Sequence, residues 1–332
     1  MPPTPATPRA LALVAALALA LAACAQQPAA DEPDDDPRLV RVYTTVTQDT
    51  VDAVTDGFED AHPAAEVEVF RAPTGEFNAR VAAERRDGEI GADVFWLTDP
   101  LSMLAFDADG LLAQWEPEGA GSVPEAYRHD TYWGTRLLHL VIVASDELEA
   151  APERWWDLAD PDVVASSALP DPGFAGSAFG ALGWFALDDD HGLGWYEAIA
   201  GNGAVQVDAP DEVVAGVAEG RFDAGLTLDR LARDAEEAGS PLEVVWPEPA
   251  AIAIDSPIAV LDGAAAGELA EAFVEHVLSA EAQERIAETG WQPIDPDVPW
   301  PHTGGATTTP DWDAAFAQRD ELLERYRSAM GQ

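Results

Sequence analysis

The sequence predicts an α/β protein of two lobes, and three observations carry that prediction. Short apolar runs of strand length alternate with stretches whose apolar residues recur at helical spacing, starting at Leu39. Two such series occur, one on each side of a long apolar run at residues 137–144. A second long run, at residues 252–261, leads back toward the first series. Alternation of this kind gives mostly parallel strands covered by helices.

The elements follow in order. Residues 39–45 read as a strand, and Val51, Val54 and Phe58 then repeat at helical spacing until His62-Pro63 stops them. Residues 66–70 alternate as a strand. Residues 75–86 form a helix with Phe77 and Val81 inward, residues 93–97 a fully buried strand, and residues 101–112 a helix. After the first crossing run come strands at 166–169, 204–207, 222–228 and 242–246, with helices at 176–187, 211–218 and 229–238. After the second run, residues 269–278 and 281–288 are helices, 293–310 a Pro/Thr/Gly-rich loop, and 311–330 one final helix. Lobe one then comprises residues 38–136 and 256–300. Lobe two comprises 137–255 and 301–332.

The 332 residues are 47% hydrophobic, enough to build a core and too apolar for a wholly disordered chain. Asp and Glu number 62 against 17 basic residues, every one of them Arg, for a net charge of −45. Such a balance argues against nucleic acid or an anionic bilayer as partner, because both need a basic face. Cys24 is the single cysteine, so neither an internal disulfide nor a cysteine-based zinc site can form.

Residues 1–23 read as an export signal. Arg9 precedes a thirteen-residue apolar run, Ala10 to Ala22, too short to span a bilayer. The run ends in Leu21-Ala22-Ala23-Cys24, which resembles a bacterial lipobox. Lipidation of Cys24 is therefore expected, with an extracytoplasmic, lipid-anchored location. Residues 24–37, rich in Ala, Gln, Pro and Asp, read as a flexible acidic tether. Membrane contact is expected only through the lipid.

A surface-anchored hydrolase is the rival class, and the motifs it needs are missing. There is no phosphate-loop lysine motif and no H-E-x-x-H. Gly176-Ser177-Ala178 lacks the G-x-S-x-G frame, and Gly192-Leu193-Gly194 reaches Glu197 where a dinucleotide fingerprint needs glycine. No cofactor is expected. Of the tryptophans, Trp155, Trp156, Trp184 and Trp195 read as packing residues, and Trp133 as a residue lining the cleft.

Several segments together resemble the substrate-binding lipoproteins of ABC importers, of the ferric-iron-binding type within solute-binding family 1. Val42-Tyr43-Thr44-Thr45-Val46-Thr47-Gln48 resembles the family's first strand and loop, and Phe70-Arg71-Ala72-Pro73-Thr74-Gly75-Glu76 its second. Gly91-Ala92-Asp93-Val94-Phe95-Trp96 with Asp99-Pro100 resembles the third. Asp171-Pro172 with Gly176-Ser177-Ala178-Phe179-Gly180 resembles the helix start in the second lobe. Ala272-Phe273-Val274 and Leu278-Ser279-Ala280-Glu281-Ala282-Gln283 resemble two late helices. The resemblance spans about residues 39 to 300. It implies a two-lobed type II periplasmic-binding fold, hinge closure on a small-molecule or metal-ion ligand, and a permease and ATPase as partners.

Strand exits feeding helix N-termini define the candidate ligand-binding residues. They are Thr45, Thr47 and Gln48 after the first strand, Thr74, Gly75 and Glu76 after the second, and Asp99 after the third. In the second lobe they are Ser177, Ala178, Thr227, Asp229 and Arg230. The ferric resemblance implies an adjacent tyrosine pair after the strand at 222–228. The chain reads Thr227-Leu228-Asp229-Arg230-Leu231 there, with no Tyr-Tyr pair anywhere. Two ligand classes stay open. One is a metal held by Asp229, Glu76 and other carboxylates with an exogenous anion. The other is a small anionic organic molecule, such as a phosphonate or a sugar phosphate, paired with Arg230.

Overall fold

The computed structural model describes residues 37–302 and 304–331. The signal segment, Cys24 and the tether up to residue 36 lie outside them. Among the described residues no helix is long and apolar enough to cross a membrane.

The first series is β1 (Leu39–Thr44), α1 (Gln48–Ala61), β2 (Glu66–Arg71), α2 (Thr74–Asp87), β3 (Val94–Trp96) and α3 (Pro100–Ala108). Helix α1 buries Val51, Val54 and Phe58 and stops at His62, ahead of Pro63. Helix α3 starts on Asp99, whose Oδ1 accepts the Ser102 amide at 3.0 Å. It ends earlier than the expected residue 112. Gly110 turns the chain with φ of +69°, and Leu112 then bridges to Leu261.

Two long strands follow the expected crossing runs, β4 (Trp133–Ser145) and β9 (Ala251–Val260), the latter buried throughout. Between them lie β5 (Ser167–Pro170), α4 (Gly176–Leu187), α5 (Gly194–Gly201), β6 (Val205–Val207), α6 (Pro210–Ala218), β7 (Ala224–Leu228), α7 (Asp229–Glu237) and β8 (Leu242–Val245). Helix α5 had no strong sequence signal. It is eight residues long between two glycines and buries only Trp195, Tyr196 and Ile199.

The strands form one sheet in the order β2-β1-β3-β9-β4-β7-β5-β6. β1 to β3 are mutually parallel, as are β5 to β7, whereas β3–β9, β9–β4 and β4–β7 are antiparallel. The two parallel fans therefore point their carboxyl ends toward each other. β3 ends where Trp96 faces Ile258. β7 ends where Leu228 faces Leu140, itself paired with Ile252. Residues 134–139 and 253–257 of the long strands span the interval. A β-bulge falls there, between Gly134 and Leu137.

After β9, α8 (Gly267–Val277) packs on β1 and β9, and α9 (Ala280–Glu288) packs on α1. The expected loop at 293–310 contains two-residue strands at either end, β10 (Gln292–Pro293) on β4 and β11 (Thr307–Thr308) on β9. The single terminal helix expected at 311–330 is two, α10 (Trp312–Ala317) and α11 (Arg319–Ala329), broken at Gln318. The break lets α10 lie against both α3 and α4, with Ala315 buried against Gly183 of α4. Leu322 and Tyr326 of α11 are then turned onto α4 and α5. Trp156 is 40% exposed rather than packed. Trp133 is buried edge-on against Trp115 instead of lining the cleft.

Candidate functional site

Two contacts close the interval between the fans. At the exits of β1 and β7, Arg230 donates to Asp49 at 2.6 Å and also pairs with Asp234 at 3.0 Å. At the exits of β3 and β5, the Asp99 carboxylate lies directly against Gly176, where a β-carbon would collide with it. Burial alone would raise the Asp49 carboxyl; the Thr47 hydroxyl and the Arg230 guanidinium outweigh it and hold it below the usual range.

Buried polar side chains concentrate in the spanning residues: Thr135, Arg136, His139, Asp255 and Ser256. Arg136 is 0% exposed. Its Nη1 donates to Thr50 Oγ1 at 3.2 Å, its Nε to Ser256 Oγ at 3.4 Å, and it stacks 4.7 Å from the Trp291 ring centroid. Arg230 covers the same ring at 5.5 Å. Nη2 of Arg136 has no hydrogen-bond partner, and among the described residues no carboxylate lies within ion-pair distance of it. Burial pushes its pKa down to about 9; Asp49 opposes the shift, and Arg230 and Arg71 add to it. The group therefore stays cationic at neutral pH.

Asp255, opposite Leu137 in the ladder, lies on the other face of the β4–β9 ribbon from the Arg136–Ser256 pair. It is 2% exposed, and burial, reinforced by Asp99, pushes its pKa up to about 7. Asp99 is raised for the same reason, loss of water. Folding thus favours the protonated form of Asp255. Its contribution to stability is present below the unfolded pKa of about 4 and is lost as pH rises through 7. Asp255→Asn should remove this fall, gaining about 2–4 kcal/mol over the parent at pH 8 and little at pH 4. Urea denaturation at the two pH values measures the difference.

A cleft of about 400 Å³ opens between the exits of β2 and β3 and the exit of β5. Thr74 and Gly75 of α2, Asp99 and Ser102 at α3, and residues 172–176 leading into α4 form its walls, with Arg319 and Arg327 of α11 along one side.

The sequence-derived candidates divide accordingly. Thr74, Gly75 and Asp99 line the cleft. Ser177 and Ala178 are buried one step inside α4. Thr45 lies beneath, bonded to Thr98 at 3.0 Å. Thr47 holds the Trp291 indole at 3.3 Å, and Gln48 reaches its own helix at Asp52. Glu76 is exposed in the first turn of α2. Thr227 donates to the Pro210 carbonyl, and Asp229 is buried against Arg233 at 3.2 Å. Burial raises Asp229, with Arg233 opposing the rise. The structure thus brings three of the twelve to the open cleft. Arg230 and Thr47 sit beside the buried arginine, and the rest serve the local fold. No group of three or more His, Cys, Asp or Glu able to hold a metal occurs among the described residues. Arg136 and Asp255 were missed, although each is a charge set in or beside a long apolar strand run.

The chain matches the family of bacterial extracellular solute-binding proteins over residues 40–292, and it belongs to that family. Its fold is that of the type II periplasmic binding proteins. It superimposes with a TM-score of 0.76 on the periplasmic binding protein AfuA from Actinobacillus pleuropneumoniae, which has fructose-6-phosphate bound, at 18% identity over 88% of this chain and 98% of that one. A sulfate-binding protein from Synechocystis is 26% identical over 54% of this chain and 55% of its own length. A putative 2-aminoethylphosphonate-binding periplasmic protein from Salmonella paratyphi A is 26% identical over 66% of each. The chain thus spans between about half and two thirds of these two relatives.

Proposed function

We propose that this protein is the substrate-binding component of an ABC importer, anchored through a lipid on Cys24, and that its solute is a small molecule carrying an oxyanion. The lobes, residues 38–136 with 256–300 and residues 137–255 with 301–332, close on the solute by bending at the long strands. The loaded protein then delivers it to a permease driven by an ATPase. Its task is capture and delivery without chemistry.

Arg136 carries the reading. A guanidinium removed from water, with an N–H unanswered and no carboxylate paired to it, lacks a counter-ion in a chain of net charge −45. It lies beside the first turn of α1, whose end favours negative charge. Sulfate, a phosphonate or a phosphate ester supplies oxygens of the geometry that a guanidinium binds. The names of the two curated relatives, for sulfate and for an aminophosphonate, support the same class. Arg230, the arginine first expected in this role, is already paired with Asp49 and Asp234.

Ferric tyrosinate is the weaker reading. Burial, then Glu84, push the Tyr43 phenol up to about 12, and burial raises Tyr132 and Tyr196 as well. Phenols held protonated are poor ligands for a hard cation. A thermal-shift screen of sulfate, 2-aminoethylphosphonate, fructose 6-phosphate and ferric citrate tests the proposal. An oxyanion at 100 times its Kd should add about 2.7 kcal/mol of stability. Failure of every oxyanion, or an intense visible band on ferric loading, would overturn it. Cys24→Ala should leave the protein unprocessed or shed it from the membrane fraction; a variant that is processed as before and stays membrane-bound would refute the anchor.

A further inference from the structure

We infer that Asp49 is a built-in competitor of the solute: its carboxylate holds Arg230 until a tetrahedral oxyanion displaces it and binds Arg230 together with Arg136. The inference rests on the oxyanion reading and adds the residue that sets how strongly charged the solute must be. The two guanidiniums share one support, at 4.7 Å and 5.5 Å from the Trp291 ring centroid. Thr50 links the rest. Its hydroxyl accepts Arg136 Nη1 at 3.2 Å, and its amide donates to Asp49 Oδ1 at 2.9 Å. Asp49 Oδ2 in turn accepts Arg230 Nη2 at 2.6 Å. Each guanidinium still has a buried N–H that no acceptor answers. On Arg136 it is Nη2. On Arg230 it is Nε, which lies 3.0 Å from Asp234 without a hydrogen bond to it.

Two neighbouring cations with unanswered donors call for an anion that has several oxygens. Asp49 supplies only part of that. One of its oxygens is spent on the Thr50 amide, and the other reaches Arg230 alone. Its place in the first turn of α1 also takes the helix end that would otherwise favour the solute's charge. The side chain is 43% exposed, so water receives the carboxylate when it leaves, whereas Arg136 is 0% exposed and stays. A carboxylate tethered beside its guanidinium competes as if at high local concentration. A free monocarboxylate offers Arg230 no more charge than Asp49 does, and it is refused. A doubly charged sulfate, phosphonate or phosphate monoester serves both guanidiniums at once and outweighs the lost ion pair. Discrimination therefore comes from a repulsive group inside the site as well as from the attractive ones.

Calorimetric titration of sulfate, 2-aminoethylphosphonate and acetate into the purified protein and its variants tests this. Asp49→Asn keeps an acceptor for the Thr50 amide and should bind sulfate or 2-aminoethylphosphonate at least about tenfold more tightly than the parent. A merely structural role for Asp49 predicts the opposite sign. Asp49→Ser gives the same readout if the first variant folds poorly. Asp56→Asn removes the same charge from an exposed position on α1 and should gain nothing. On an Arg230→Gln background the change Asp49→Asn should gain little, because the competition is for that guanidinium. Unchanged or weaker binding by the Asp49 variants, an equal gain from Asp56→Asn, the full gain without Arg230, or acetate bound by the parent as tightly as sulfate would overturn the inference and leave the oxyanion reading standing. Absence of sulfate and 2-aminoethylphosphonate binding in the parent and in Asp49→Asn alike would overturn both.

Discussion

Arg136→Met should raise the unfolding midpoint of the ligand-free protein while erasing the stabilisation that an oxyanion confers. A buried charge without a counter-ion costs more than a well-packed apolar side chain of similar volume, and methionine fills irregular space readily. The groups that Arg136 leaves keep partners. Thr50 Oγ1 also contacts Thr47 and Thr289, and Ser256 Oγ donates to the Leu97 carbonyl. The expected gain is about 1–4 kcal/mol. The expected loss in oxyanion binding is about 2–5 kcal/mol. Urea denaturation with and without sulfate or 2-aminoethylphosphonate reads both. A variant less stable than the parent would make the arginine a structural residue, and one that binds as before would remove it from the site.

Trp291→Ala should cost about 3–5 kcal/mol of stability. The indole is fully buried, lies under two guanidiniums, and donates to Thr47 at the start of α1. Its removal leaves a cavity beneath Arg136 and frees Arg230 from the geometry in which it meets Asp49. Trp291→Phe keeps a ring under both cations and loses only the N–H, so its cost should be nearer about 1 kcal/mol. Chemical denaturation of the pair separates packing from hydrogen bonding. Similar losses in the two variants would show that the ring face contributes little.

Periodicity was enough to read most of the fold. The α1 pattern of Val51, Val54 and Phe58, the short strand at 93–97 and the two long apolar runs all became the elements expected of them. Where the signal was weak the reading was poor. Gly194 and Gly201 bracket a helix of eight residues, and nothing in the periodicity marked the break at Gln318 that lets α10 reach α3. The site was harder, because position after a strand does not distinguish a ligand contact from a local bond. Ser177 and Thr227 occupy strand exits as expected, yet one is buried inside α4 and the other bonds Pro210. The more informative signal was a charge among apolar neighbours. Arg136 beside Leu137-Leu138, and Asp255 between Ile254 and Ser256, lie in strands covered on both faces, where an ionised side chain needs a partner. Pairing of the long strands then determines which face each one takes.

The bulge in β4 bears on how the protein moves. A hydrogen-bonded ladder resists bending in its own plane, and an extra residue on one strand relieves that resistance locally. Here the relief falls between Gly134 and Leu137, beside Pro257, which has no N–H to give to the ladder. In the closure proposed above, the ribbon acts as a flexure whose compliant point sits at the pivot. Angular travel is then concentrated in a few peptides, and the flanking strand fans turn as stiff plates. A permease meeting either plate would find the same contour whether the protein arrives loaded or empty, so it must sense the angle between the plates rather than the shape of either one.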